Sequence, residues 1–200
     1  PAYNIPTAIR LHGEINTAAL ETAFRQLIAR HETLRTSFST AGREPIAVVD
    51  DDGCFKLEIL QLEGDEQATL TRLAATPFNL ASGPLLRVWL LNTGEDEHIL
   101  LIVVHHIIAD GWSLGVLMRE LAELYAATVE NRSPQLAPAG IQYADFAAWQ
   151  RELLAGPELE RQLDYWRTEL AGAPTVLELP TDRARPATSS YRGAWASKVF

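Results

Sequence analysis

Apolar and polar positions alternate with period two through "TAIRLHGEI" (7–15) and then recur near every 3.6 residues, placing Leu20, Phe24, Leu27 and Ile28 on one face. The first pattern predicts a strand. The second predicts a helix capped by Asn16 or Thr17 and ending near "RHETLRTSF". Strand-like runs follow at "EPIAVVD" and "FKLEILQL", the latter with Phe55, Leu57 and Ile59 on one side. "DEQATLTRLAATPF" predicts a second amphipathic helix, opened by the acidic residues favoured at a helix N-terminus. "GPLLRVWLL", a turn-like "NTGEDE" and "HILLIVVHH" predict a hairpin. Its second member is apolar on both faces and therefore belongs at the centre of a sheet.

Beyond that strand, Leu114, Leu117, Leu121, Leu124 and Tyr125 return at helical spacing, with Ser113 placed to cap the first turn. "NRSPQLAPAG" is a proline-rich connector, and "IQYADFAAWQRELLAG" and "PELERQLDYWRTEL" predict two more helices. A looser segment leads to "WASKVF", which reads as the opening of a strand. No repeat or low-complexity tract interrupts the chain. Strands mixed with helices in this order predict an α/β sandwich.

Composition narrows the function classes. The 200 residues are 47% hydrophobic and 22% charged, ordinary for a globular chain. A net charge of −9, with 17 scattered Lys and Arg, argues against a nucleic-acid surface, which needs clustered cations. Cys54 is the sole cysteine, so the chain can build neither an internal disulfide nor a thiolate metal site, which suits a reducing cytoplasm. The N-terminus has no basic start with an apolar stretch behind it, and no run approaches the ~18 apolar residues of a membrane helix. Position 1 is not Met and the last residues read as the start of a strand, so the expectation is a piece of a larger protein.

The chemistry concentrates in "VVHHIIADGWSLGVL" (103–117). A polar pair, His105 and His106, at the end of a two-faced buried strand is costly unless it is hydrogen-bonded or faces a cavity. Strand ends in α/β proteins are where ligands sit. Satisfied core or rim histidines are the alternative reading. Asp110 lies on the tight turn before the helix, where it can brace the loop by pairing with a cation or with backbone amides. Gly111 permits a positive φ or a close approach to substrate, and the helix N-terminus can aim amides at a developing negative charge. These parts suit acyl transfer. A metal site is disfavoured because adjacent strand residues point to opposite faces. A hydrolytic triad lacks its nucleophile: there is no G-x-S-x-G, and Cys54 sits in a loop beside "DDG" with no evident base.

The residues also resemble a family. "HHIIADG" matches the HHxxxDG motif of the superfamily that includes chloramphenicol acetyltransferase and the condensation domains of nonribosomal peptide synthetases. "RHETLRTSF" resembles the RHExLRTxF motif of condensation domains, "PFNLASGPLLRVWLL" their PFDLxxGPLLR segment, and "YADFAAWQ" their YxDFAxWQ motif. All four occur in the family's order and cover nearly the whole chain. Heterocyclisation domains carry aspartate in place of both histidines, and epimerisation domains follow the motif differently. The chain therefore resembles the type that joins an L-aminoacyl donor to an L-amino acid acceptor. Ala109 departs from the Ser common at that position.

What the resemblance implies is a chloramphenicol acetyltransferase-like two-layer sandwich. Residues 1–200 form the N-terminal lobe of a two-lobed pseudodimer. The family's first motif is expected upstream of Pro1 and its second lobe beyond Phe200. The active site lies in a tunnel between lobes, so the isolated lobe is expected to be inactive. Donor and acceptor arrive as thioesters on the phosphopantetheine arms of two carrier domains, and an adenylation domain is a further expected partner. No cofactor or metal is expected on this lobe. His106 is the expected catalytic residue, as base or as positioner of the amine, with His105, Asp110 and Gly111 in support. Asp110 is expected to pair with Arg35, or failing that with Arg30. Trp112 and Trp149 are expected to be core or lobe-packing aromatics. A stand-alone acyltransferase and a non-catalytic docking lobe for a carrier protein are the competing readings.

Overall fold

The computed structural model describes residues 2–41, 44–51, 55–184 and 186–188. Cys54 and the strand expected at "WASKVF" lie outside them. The chain forms two units, Tyr3–Phe146 and Ala147–Phe200. In the first, a four-stranded sheet runs in the order β1 (Asn4–His12), β6 (Glu97–His105), β5 (Leu86–Asn92), β4 (Glu58–Gln61). The β1/β6 and β6/β5 pairs are antiparallel and the β5/β4 pair is parallel. The hairpin expected over 83–106 is therefore present, and its second strand is internal. A separate two-stranded sheet joins β2 (Thr36–Ala41) to β3 (Glu44–Val49).

Both faces of β6 are buried, which explains its unbroken apolar run. Leu100, Ile102 and Val104 join a core built with α1 (Thr17–Arg30) and α3 (Gly111–Val129) through Phe24, Leu27, Leu117, Leu121 and Leu124. Ile99, Leu101 and Val103 join Trp89, Leu91 and Leu73 of α2 (Glu66–Ala74) on the opposite side. Three helices start with an Asx cap that accepts the backbone N–H three residues on: Asn16 from Ala19, Asp65 from Ala68 and Asp110 from Ser113. Asp110, rather than Ser113, is thus the cap of α3. The helix α1 stops at His31, and a 3-10 turn (Glu32–Arg35) leads into β2, a strand that the periodicity did not predict.

The strand expected over "FKLEILQL" is shorter than its pattern. Phe55 and Leu57 enter the core before the strand begins at Glu58, and Ile59 is 48% exposed, so the three do not share one buried side. The parallel pairing with β5 begins only at Glu58, and Trp89 Nε1 donates to the Glu58 carboxylate at 2.9 Å. The connector at 131–140 and the two following helices, α4 (Tyr143–Leu154) and α5 (Pro157–Glu169), occur where they were expected.

Replacing Leu90, which is fully buried, with Ala is expected to cost about 2–5 kcal/mol by leaving a cavity. Ile59→Ala, on the exposed side of β4, should stay within about 0.5 kcal/mol. Urea unfolding of both variants checks the assignment; equal losses would return Ile59 to the core.

Candidate active site

The strand β6 ends at His105, and a tight turn over 106–108 carries the chain into α3. Adjacent positions at the strand end fall in different surroundings. His105 is half-buried among rings: Phe78 meets it edge-on at 6.0 Å and Tyr3 lies 6.0 Å away on a tilted plane. Arg87 stacks over Phe78 at 4.1 Å and donates to the Thr76 and Pro77 carbonyls, fixing that ring in turn. His105 Nδ1 accepts the Ile107 backbone N–H at 3.1 Å, which requires the neutral ring with its proton on Nε2. Burial holds the His105 pKa below its usual value. The ring therefore keeps the lone pair that closes the turn.

His106 is exposed, and its backbone N–H is tied to the Tyr3 carbonyl at 2.8 Å. It lines an open groove of about 440 Å³ together with His31, Asp110, Trp112, Ile141 and Tyr143. The main-chain bond fixes the turn, and the imidazole is left facing the groove. No group of three or more metal-ligating side chains gathers among the described residues.

Asp110 does not pair with Arg35. Its Oδ1 accepts both the backbone N–H (2.8 Å) and the hydroxyl (2.6 Å) of Ser113. Those bonds hold its carboxyl below the usual range. Arg35 lines a different cavity, beside Asp50 and Lys56; it donates to the Asp50 carbonyl at 2.7 Å and lies 3.8 Å from Glu32. Arg30, the second expected partner, goes instead to Glu120 at 3.0 Å, and His31 Nε2 reaches the same carboxylate at 2.6 Å. Burial opposes the ionisation of Glu120, but hydrogen bonds from His31 and Arg30 outweigh it and keep its carboxyl below the usual range. Asp110 thus braces the loop through a backbone amide, and the ion pair is made instead between α1 and α3 at Glu120, a residue that the sequence reading did not single out. Its signal was the spacing of a glutamate within an otherwise apolar stripe.

Gly111 takes the first helical position without a positive φ, and no atom of the chain stands within 4 Å of where its Cβ would be. Trp112 is 85% exposed and Trp149 is 55% exposed, so of the two expected places, core or lobe packing, the core is excluded.

The sequence matches the condensation-domain family over residues 1–198. The chain belongs to that family. This condensation-domain sequence is 48% identical over 208 residues to one of the linear gramicidin synthase proteins of Brevibacillus parabrevis, covering 100% of the chain and 3% of that protein. It is 43% identical over 208 residues to malpinin synthetase of Mortierella alpina, covering 98% of the chain and 3% of the synthetase. Such curated relatives are many times longer than the chain. Among solved structures, the X-domain in its complex with OxyB from teicoplanin biosynthesis superposes with a TM-score of 0.83 at 37% identity, covering 92% of this chain and 42% of that one. The first condensation domain of the CDA synthetase gives a TM-score of 0.76 at 27% identity, covering 90% and 48%. The fold is thus the chloramphenicol acetyltransferase-like α/β type.

If Asp110 is a helix cap, Asp110→Ala should lower the melting temperature by about 2–4 °C, and Asp110→Asn should restore most of the loss. Arg35→Ala combined with Asp110→Ala should be additive, since the two share no bond. The depressed Asp110 pKa adds stability that is present above the unfolded value of about 3.9 and is lost as pH falls through the folded one. The His105 pKa is also depressed. Its share is complete above the unfolded value of about 6.5 and declines as pH falls below it. Thermal melts from pH 3 to 8 should therefore show an upper step that disappears in His105→Ala.

Proposed function

We propose that the chain is the N-terminal lobe of a condensation domain in a nonribosomal peptide synthetase, acting in the cytoplasm, and that the intact domain forms a peptide bond. The observation that carries the reading is the split between the two histidines. His105 is locked by ring contacts and by the Ile107 N–H, whereas His106 faces an open groove at the start of α3. Coverage of 42–48% of solved condensation-family chains supports one lobe of two.

In this reaction the α-amine of an acceptor aminoacyl thioester attacks the carbonyl carbon of the donor thioester. The C–N bond forms, the C–S bond breaks, the donor carrier's thiol leaves, and the amine gives up one proton. An α-amine with a pKa near 7.7–8.0 is partly free at neutral pH, so the barrier is lowered chiefly by aligning it. His106 holds the amine by a hydrogen bond or accepts its proton as the tetrahedral intermediate forms. His105 shapes the turn that presents His106, and Asp110 fixes the first turn of α3. Both substrates are delivered on phosphopantetheine arms of carrier domains, with an adenylation domain as a further partner. The lobe itself binds no cofactor and, without its second lobe, does not condense.

In an intact domain, His106→Ala should abolish most peptide-bond formation with little change in melting temperature, and His105→Ala should reduce stability at least as much as rate. If His106 is a base, the loss should be about 10²- to 10⁴-fold and partly relieved by external bases; if it positions the amine, raising the pH should restore little. Single-turnover condensation from pH 6 to 9, with melts alongside, reads these outcomes. An active His106→Ala enzyme would refute the assignment, and dipeptidyl product from the 200-residue chain alone would refute the inter-lobe site.

A further inference from the structure

Gln142 joins segments more than 100 residues apart. Its Oε1 accepts the Glu32 backbone N–H at 3.1 Å, and its Nε2 donates to the Arg30 carbonyl, also at 3.1 Å. Its own N–H donates to Asp145 Oδ2 at 2.9 Å. Each partner of the amide is a group that a helix end leaves unmatched. Arg30 is the last residue of α1, where carbonyls lose their intrahelical donors, and Glu32 opens the 3-10 turn. The Gln142 amide accepts from one with its oxygen and donates to the other with its nitrogen, a pairing that a carboxylate, with acceptors alone, or Lys and Arg, with donors alone, does not reproduce.

The connector before Gln142 is fixed in steps. Glu123 holds Arg132 at 2.6 Å and accepts the Gln135 N–H at 2.6 Å, and the Arg30 guanidinium donates to the Ala137 carbonyl. Beyond these anchors, Ile141 and Tyr143 form part of the wall of the His106 groove, yet they are 69% and 61% exposed. Residues so exposed have little packing of their own, so their place is set by the main chain that Gln142 clasps.

We propose that Gln142 is a positioning residue: its amide fastens the start of α4 to the end of α1 and thereby sets the Ile141–Tyr143 wall that receives the acceptor group. The functional half of this inference rests on the condensation reading above; the clasp itself does not. Losing both bonds lets the wall shift without touching the reacting atoms, so acceptor binding suffers more than turnover.

In an intact domain, Gln142→Ala should raise KM for the carrier-bound acceptor roughly five- to tenfold, with kcat within about twofold and KM for the donor unchanged. Gln142→Glu keeps the acceptor for Glu32 but puts a carboxylate oxygen against the Arg30 carbonyl, and should not rescue. A purely structural role would lower kcat through a smaller active fraction and leave KM alone, and that result overturns the proposal. In the 200-residue chain, amide exchange should become about tenfold faster at Glu32 and in the first turn of α4 in Gln142→Ala, while Leu27 and Ile28 keep their protection. Unchanged exchange at Glu32 overturns the clasp. A wild-type domain that forms no dipeptidyl product refutes the condensation reading instead, and the exchange result still decides the clasp.

Discussion

Burial of β6 on both faces governs how the remaining elements are placed. With Leu100, Ile102 and Val104 against α1 and α3, and Ile99, Leu101 and Val103 against the α2 side, a slip of one residue would exchange the two sets and break both cores. The strand must therefore sit in one register between β1 and β5, with Asn4 opposite His105 and Leu86 opposite Val104. That register fixes where the strand stops, and so fixes which histidine belongs to the sheet and which to the turn.

From that point the site is assembled by hydrogen bonds rather than by apolar packing. The turn is closed by a neutral His105, tethered by the Tyr3 carbonyl through the His106 N–H, and passed to α3 by the Asp110 cap. Each of these uses a backbone group that the end of a strand or helix leaves unmatched, so the turn is held by hydrogen bonds although much of it is exposed. The Arg30–Glu120–His31 cluster plays the corresponding part between the helices. Its charges are paired and hydrogen-bonded in a partly buried place, the condition under which such groups persist.

The four family motifs take distinct physical parts on this scaffold. "HHIIADG" supplies the strand end, the turn and the cap. "RHETLRTSF" ends α1, and its first two residues grip Glu120 while Arg35 turns away to the Asp50 carbonyl. "PFNLASGPLLRVWLL" supplies Phe78 and Arg87, the stack that confines His105, and "YADFAAWQ" opens the helix that Gln142 anchors. Three motifs far apart in sequence thus line the same groove, through His31, His106 and Tyr143, while the fourth contacts His105 through Phe78.

The elements and the family were legible in the order of residues. Period-two and period-3.6 patterns are local consequences of backbone geometry, so β1, α1, α2, the β5–β6 hairpin and α3 to α5 could be read directly, as could the central place of β6. The alternation of side chains also anticipated that His105 and His106 would differ in surroundings. The pairings, by contrast, were settled only by packing. Whether Asp110 meets a cation depends on where α1 ends relative to α3, and the carboxylate instead meets the Ser113 N–H three residues away, the backbone-amide alternative that its place on the turn allowed. Arg30 and Arg35 look equivalent in "RHETLRTSF", but the 3-10 turn between them sends them to different cavities. Hydrophobicity, visible in sequence, put Ile59 on one side with Phe55 and Leu57 and left Trp112 a core or lobe-packing aromatic; their exposure follows from which faces the helices cover, and that is set only when the sheet and helices pack.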